Sequence, residues 1–135
     1  MLPTSDPRYS RHQQPETILV VDDEAAVLDV ACRALRRAGY HTLAASNADE
    51  ADALFDAHAR SVSMLLTDYL MPGRSGLELF DGLLAKRSGL KVLFMSGSSW
   101  RLEEAADAVV AGRPVIDKPF RLKQLTRRVA EVLRD

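Results

Sequence analysis

Short apolar runs alternate with helix-like segments along the chain, and this alternation restricts the fold more than any other feature of the sequence. The runs are TILVVDD, YHTLAA, VSMLLTD, LKVLFMS and PVID. Most are continuous and rich in Val, Ile or Leu, as expected for strands that are covered on both faces. The segments between and after them carry apolar residues three or four positions apart, the period of an amphipathic helix. The alternation predicts a parallel sheet with helices on both faces, because each crossover is right-handed and covers one face.

A chain of 135 residues is the size of one such domain. We therefore expect a single doubly wound α/β domain over residues 17–135. Residues 1–16 are rich in proline and polar groups, which predicts a flexible N-terminal tail. The last helix is expected to bury one apolar stripe, formed by Leu122, Leu125, Val129 and Val132.

The composition excludes several functional classes. A net charge of -1 provides no positive field for direct binding of nucleic acid or of an anionic membrane. No apolar run approaches the roughly 18 residues of a membrane span, and no secretory signal is recognisable at the N-terminus. The single cysteine, Cys32, excludes an internal disulfide and fits a reducing compartment. These features predict a cytoplasmic protein.

Polar side chains cluster at the predicted carboxyl ends of four strands, where open parallel sheets bind their ligands. In chain order they are Asp22, Asp23, Asp68, Ser96, Asp117 and Lys118. One aspartate after a buried strand is often only the N-cap of the next helix. That explanation weakens when several carboxylates, a hydroxyl and an ammonium group gather at the same edge of one sheet.

The carboxylates Asp22, Asp23 and Asp68 cannot stay together and ionised without a cation. Two like charges about 4 Å apart repel by roughly 4 kcal/mol at an effective dielectric of 20. Lys118 alone cannot neutralise three of them. Mg²⁺ prefers oxygen ligands and typically combines one or two carboxylates with water and phosphate oxygens. The sequence therefore predicts a Mg²⁺ site that also receives an anionic group within reach of Lys118 and Ser96.

Four motifs, in this order, resemble the receiver domain of two-component response regulators: VVDDE, TDYLMPGRSGLEL, FMSG and DKPF. The resemblance runs from about Thr17 to the C-terminus. It implies a flavodoxin-like (βα)5 sandwich with strand order 2-1-3-4-5, similar to single-domain chemotaxis regulators.

The resemblance also implies the role of each residue in the phosphorylation site. Asp68 would be the phosphoacceptor, which takes a phosphoryl group from a phosphohistidine. Asp22, Asp23 and the backbone carbonyl of Leu70 would hold Mg²⁺ together with Asp68. Lys118 would pair with the carboxylate and later with a phosphoryl oxygen.

Four further positions concern access and switching. Ser96 would hydrogen-bond the phosphoryl group, and the small Gly97 would leave a path to Asp68. Pro119 would form a cis peptide bond that directs Lys118 inward. The position of Val115 is usually aromatic in this family, so the usual aromatic switch is not expected here, and signalling must use other movements.

Several alternatives are compatible with the sequence. The chain can be a stand-alone receiver or one excised from a hybrid histidine kinase or a longer regulator. The expected partners are a histidine kinase or histidine phosphotransfer protein and an unknown downstream protein. A Mg²⁺-dependent phosphatase of the haloacid dehalogenase type is disfavoured, because Glu24 stands where its second aspartate belongs. A receiver is not expected to be a turnover enzyme. A degenerate receiver that binds without phosphorylation is disfavoured, because all of the chemical positions of the site are filled in this sequence.

Opposite charges mark the last two predicted helices. They are consistent with a weak homodimer through these helices and strand five. Two ordinary solvated faces are the simpler explanation, because ion pairs at a protein surface contribute little to stability. The acidic residues are Glu103, Glu104 and Asp107, and the basic ones are Arg121, Lys123, Arg127, Arg128 and Arg134.

Overall fold

The computed structural model describes residues 15–97 and 112–135, and its strands form one parallel sheet in the order β2-β1-β3-β4-β5. The strands are β1 (Thr17–Val21), β2 (His41–Ala45), β3 (Val62–Asp68), β4 (Lys91–Ser96) and β5 (Val115–Asp117). The helices of the described ranges are α1 (Ala25–Arg37), α2 (Ala48–His58), α3 (Gly76–Lys86) and α4 (Leu122–Arg134). The predicted fold class and strand order are confirmed.

Two predicted segments lie wholly or mostly outside the described residues. The helix expected from Trp100 is one, and residues 1–14 of the expected N-terminal tail are the other. Glu16, at the end of that tail, accepts a backbone hydrogen bond of 2.9 Å from His41 at the start of β2. None of the described helices is long and apolar enough to cross a lipid bilayer.

The sheet separates two apolar cores. Along each strand, side chains alternate between the faces. One core joins the sheet to α1 and α4, and the other joins it to α2 and α3. All five residues of β1 are buried, as are six of the seven residues of β3. These two central strands therefore carry their terminal side chains to an edge that the protein interior supports firmly.

The apolar stripe of α4 is shorter than predicted. Leu125, Val129 and Val132 are buried, but Leu122 is 45% exposed, so its predicted burial is wrong. Leu122 is the first residue of the helix, one turn before Leu125. Periodicity identifies the apolar side of a helix but does not show where along its length the contacts with the sheet begin.

The start of α3 is set by a capping box that follows the β3 strand end. The Ser75 hydroxyl accepts a hydrogen bond of 3.1 Å from the backbone N–H of Glu78. The Glu78 carboxylate in turn accepts one of 2.9 Å from the backbone N–H of Ser75. Such reciprocal bonds satisfy N–H groups that a helix start would otherwise leave unpaired. The capping box thereby fixes the residue at which the loop after Asp68 ends and α3 begins.

Candidate phosphorylation site

Three charged groups extend the same face of the sheet at the carboxyl ends of their strands. The buried apolar residues before them on that face are Ile18, Val20, Met64, Leu66 and Ile116. Asp22 is next in the alternation after β1, Asp68 ends β3, and Lys118 follows β5. Because β1 and β3 are neighbours in the sheet, the two carboxylates lie close together. Alternation along the strands, together with the strand order of the sheet, thus explains why these three groups converge.

The ammonium group of Lys118 lies among carboxylates. Its Nζ donates to Asp22 Oδ2 at 2.7 Å and to Glu24 Oε1 at 3.3 Å. It also forms an ion pair with Asp68 Oδ2 at 3.4 Å. Burial alone would lower the pKa of Lys118, but the hydrogen bond to Asp22 and the charge of Asp68 raise it above its ordinary value. Lys118 therefore stays positively charged.

Asp22 is fully buried, and both of its carboxylate oxygens have partners. Oδ1 accepts a hydrogen bond of 2.9 Å from the backbone N–H of Glu24, and Oδ2 accepts from Lys118. A buried carboxylate needs such partners, because an unpaired buried charge is very costly. Asp22 thus contributes a fixed negative charge next to Asp68.

The Asp68 carboxyl is buried and holds its proton more tightly than an ordinary aspartate. Burial, followed by the negative charge of Asp22, raises the pKa of Asp68 to about 6, although Lys118 opposes this shift. The residue is 6% exposed, so its carboxylate faces little solvent. Any cation entering the site would lower this pKa by stabilising the ionised form.

Oxygen atoms of Asp22, Glu24 and Asp68 lie within 4.8 Å of one another, the one grouping of this kind among the described residues. This all-carboxylate donor set suits a hard divalent cation such as Mg²⁺. Asp23, which was predicted as a direct ligand, is exposed and does not belong to the group. Asp23 follows Val21 on the opposite face of β1, whereas Glu24 approaches Lys118. The sequence reasoning did not select Glu24 as a candidate.

The backbone around Asp68 leaves no room for a side chain at the start of α3. A Cβ atom placed on Gly76 would overlap the backbone carbonyl oxygen of Asp68 and approach Thr67 Cγ2 to 3.1 Å. The Gly76 N–H also donates to the Tyr69 carbonyl at 2.8 Å. Leu70, the predicted carbonyl ligand, lies partly buried in the loop between these residues. Sequence reasoning missed Gly76, because the constraint on it is a tertiary contact with the Asp68 carbonyl that no local pattern reveals.

Ser96 points to a partner that was not predicted. Its buried hydroxyl donates a hydrogen bond of 2.7 Å to Asp117 Oδ1, across the register pair Ser96–Asp117 of β4 and β5. Its backbone carbonyl accepts the N–H of Lys118 at 2.6 Å. Ser96 is thus tied to β5 through both its side chain and its backbone.

The remaining predicted positions surround Lys118. A Cβ atom on Gly97 would have Lys118 Cδ as its nearest neighbour, at 4.0 Å, so the position is open. The Lys118–Pro119 peptide bond is cis, as expected, and Pro119 is exposed. Val115 is partly buried at the start of β5, where its carbonyl accepts a 3.3 Å hydrogen bond from Arg128.

An open groove leads along α1 to Lys118. It is lined by Ala26, Val27 and Val30 of α1, by Gly97 after β4, and by Pro119 and Phe120 after β5. Val30, on the α1 side of the groove, is 44% exposed. The groove reaches the charged cluster at Glu24 and Lys118, which also line it.

Comparison with known proteins is consistent with this geometry. The family model described as response regulator receiver domain matches residues 18–130. The phosphate regulon transcriptional regulatory protein PhoB of Pseudomonas aeruginosa is 34% identical over 123 residues, covering 88% of this chain and 52% of that protein. Sensor kinase CckA of Brucella abortus is 32% identical over 123 residues, covering 87% of this chain and 12% of that protein.

A solved receiver-domain structure has the same fold. The response regulator receiver domain protein from Clostridium thermocellum superimposes with a TM-score of 0.79 at 25% identity, covering 88% of this chain and 94% of that one. The chain spans about half the length of the curated transcriptional regulators first matched to it.

Proposed function

Since the chain belongs to the response regulator receiver domain family, we propose that Asp68 is its phosphoacceptor and that Asp22, Lys118 and a Mg²⁺ ion assist the transfer. A receiver domain of this family is the phosphoacceptor of a two-component system. The observation that carries the residue assignment is the position of Asp68. It ends the central strand β3 as a buried carboxylate, 3.4 Å from the ammonium group of Lys118 and beside the buried Asp22.

The transfer is a displacement at phosphorus. A carboxylate oxygen of Asp68 forms a new bond to the phosphorus of a phosphohistidine, and the phosphorus–nitrogen bond breaks. The imidazole keeps the electron pair and takes up a proton. Lys118 can follow the developing negative charge from the carboxylate to the phosphoryl oxygens, since phosphoryl transfer depends mainly on positioning and charge neutralisation. With a pKa of about 6, Asp68 is largely ionised at neutral pH and can act as the nucleophile.

The cluster of carboxylates fits Mg²⁺, which would neutralise phosphoryl charge when bound. Asp22, Asp68 and the Leu70 carbonyl are the proposed ligands together with Asp23, which must turn toward the cluster. Glu24 is the competing candidate, because its carboxylate already lies near Asp22 and Asp68.

The partners follow from the same site. The donor is a histidine kinase or a histidine phosphotransfer protein, and its phosphohistidine approaches Asp68 along the apolar groove beside Lys118. The receiver catalyses only its own phosphorylation and dephosphorylation and does not turn over another substrate; its output is a changed contact with a downstream protein. The net charge of -1 favours protein partners over nucleic acid or membrane. The buried thiol of Cys32 is consistent with a cytoplasmic location.

The match to CckA supports the alternative that the chain is the receiver of a hybrid histidine kinase, and the match to PhoB supports a longer regulator. The proposed homodimer would use β5 and α4 together with a helix outside the described residues. On α4, Arg128 is already engaged with Glu131 at 3.2 Å and with the Val115 carbonyl, which leaves it less available to a second copy.

Phosphorylation by acetyl phosphate tests the assignment directly. The protein is incubated with acetyl phosphate and Mg²⁺, and its intact mass is measured. The wild type should gain one phosphoryl group, and Asp68→Asn should gain none. Asp81→Asn, an exposed aspartate on α3, is the matched control and should behave as the wild type. Uptake by Asp68→Asn equal to that of the control would refute the assignment, and sustained hydrolysis of a phosphoester would favour a phosphatase.

A further inference from the structure

The hydroxyl of Ser96 is already committed to a carboxylate of the neighbouring strand. Ser96 is 4% exposed, and its Oγ lies 2.7 Å from Oδ1 of the exposed Asp117. The two residues are register partners of β4 and β5, so their side chains stand on the same face of the sheet. The hydrogen bond therefore follows from strand pairing and needs no distortion of either strand.

Ser96 and Asp68 belong to opposite faces of the sheet. Ser96 is next in the alternation after Phe94, which packs toward α2 and α3, whereas Asp68 follows Leu66, which packs toward α1 and α4. A hydroxyl group has one proton to donate. While that proton is donated to Asp117, it cannot be donated to a phosphoryl oxygen on Asp68.

We propose that Asp117 is a positioning residue that competes with the phosphoryl group for the Ser96 hydroxyl. The inference rests on the proposed function of Asp68. In the unphosphorylated protein Asp117 holds the hydroxyl on the β5 side. A phosphoryl group on Asp68 offers a stronger, doubly charged acceptor, and the hydroxyl turns toward it. Asp117 then loses its partner and becomes available at the surface.

The position of Asp117 connects this exchange to the rest of the site. Asp117 directly precedes Lys118, whose backbone N–H donates to the Ser96 carbonyl at 2.6 Å. Val115 begins the same short strand and has no aromatic ring with which to report the movement of Ser96. The release of the Asp117 carboxylate at the end of β5 supplies a signal at the surface that does not need such a ring.

Titration with beryllium fluoride and Mg²⁺, followed by fluorine NMR, measures the competition. Asp117→Ala removes the acceptor, and Asp117→Asn removes the charge but keeps an acceptor oxygen. Asp117→Ala should tighten formation of the beryllofluoride adduct by roughly fivefold, the equivalent of one modest hydrogen bond. Asp117→Asn should tighten it less. In a Ser96→Ala background, Asp117→Ala should have no such effect, because no hydroxyl is left to release.

The outcomes separate the explanations. An equal gain in Asp117→Ala and Asp117→Asn that persists without the Ser96 hydroxyl would overturn the inference, since loss of repulsion between anions would explain it. No gain in Asp117→Ala would also overturn it. A wild type that forms no adduct would instead refute the assignment of Asp68, and the competition with it. Thermal unfolding of each variant checks the fold; the exposed site of Asp117 tolerates truncation.

Discussion

Replacing Gly76 by alanine should destabilise the protein, although alanine is the better helix former. Gly76 is the first residue of α3, directly behind the carbonyl group of Asp68. The added methyl group would overlap the Asp68 carbonyl oxygen and lie 3.1 Å from both the Asp68 carbonyl carbon and Thr67 Cγ2. Two of these three atoms are backbone, so relief requires movement of the β3 end or of the α3 start.

A second glycine of the same helix provides the reference. A Cβ atom on Gly82 would meet nothing within 4 Å, so Gly82→Ala should show only the propensity gain of about 0.5–1 kcal/mol. Forcing extra volume into a packed site typically costs about 1–3 kcal/mol. We therefore expect Gly76→Ala to be less stable than Gly82→Ala by about 1.5–4 kcal/mol, the sum of the lost gain and the steric cost.

Urea unfolding of the two variants and the wild type measures this difference under identical conditions. Gly76→Ala should also slow phosphorylation by acetyl phosphate to the extent that the end of β3, which carries Asp68, moves to relieve the overlap. Gly82→Ala should leave that rate unchanged. A Gly76→Ala variant as stable as Gly82→Ala would refute the reasoning, since it would mean that the Asp68 backbone yields without cost.

The remaining predictions concern the charges of the site. Since the folded pKa of Asp68 is raised to about 6 from 3.8, proton uptake stabilises the metal-free protein at acidic pH, and this contribution is lost as the pH rises through 6. Asp68→Asn should therefore be more stable than the wild type by about 1–2 kcal/mol at pH 8, with a gain that shrinks toward pH 4; a gain independent of pH would contradict the pKa. Lys118→Met leaves the buried Asp22 without its cation and should cost about 3 kcal/mol in urea unfolding, which Asp22→Asn in the same chain should largely restore. Failure of that restoration would mean that packing rather than charge is responsible. Calorimetric titration with Mg²⁺ should show a larger loss of affinity in Asp23→Asn than in Glu24→Gln; the reverse order would assign the ligand to Glu24.

The carboxyl ends of the strands could be located from sequence because the apolar runs stop there at charged residues. The apolar runs predicted which strands are buried, and the abrupt change to Asp22, Asp68 and Lys118 marked their ends. In a parallel sheet all such ends meet at one edge. The grouping of these three residues therefore needed no tertiary information beyond the fold class.

The partners of individual side chains could not be derived in this way. Asp23 and Glu24 are adjacent carboxylates, and sequence alone does not show which one turns toward Lys118. The bond between Ser96 and Asp117 depends on the register of β4 and β5, which periodicity does not specify. Whether two such side chains form a hydrogen bond depends on differences of about 1 Å in the distance between donor and acceptor atoms.

The sequence by itself determined the fold class, the strand order implied by family resemblance, and the charges delivered to one edge of the sheet. These depend on hydrophobic periodicity and residue type, which are local properties. The tertiary structure decided which of those groups touch: it set Lys118 among Asp22, Glu24 and Asp68, placed Asp117 against Ser96, and left no room at Gly76. These contacts join residues far apart in the chain, and only packing brings their atoms within reach.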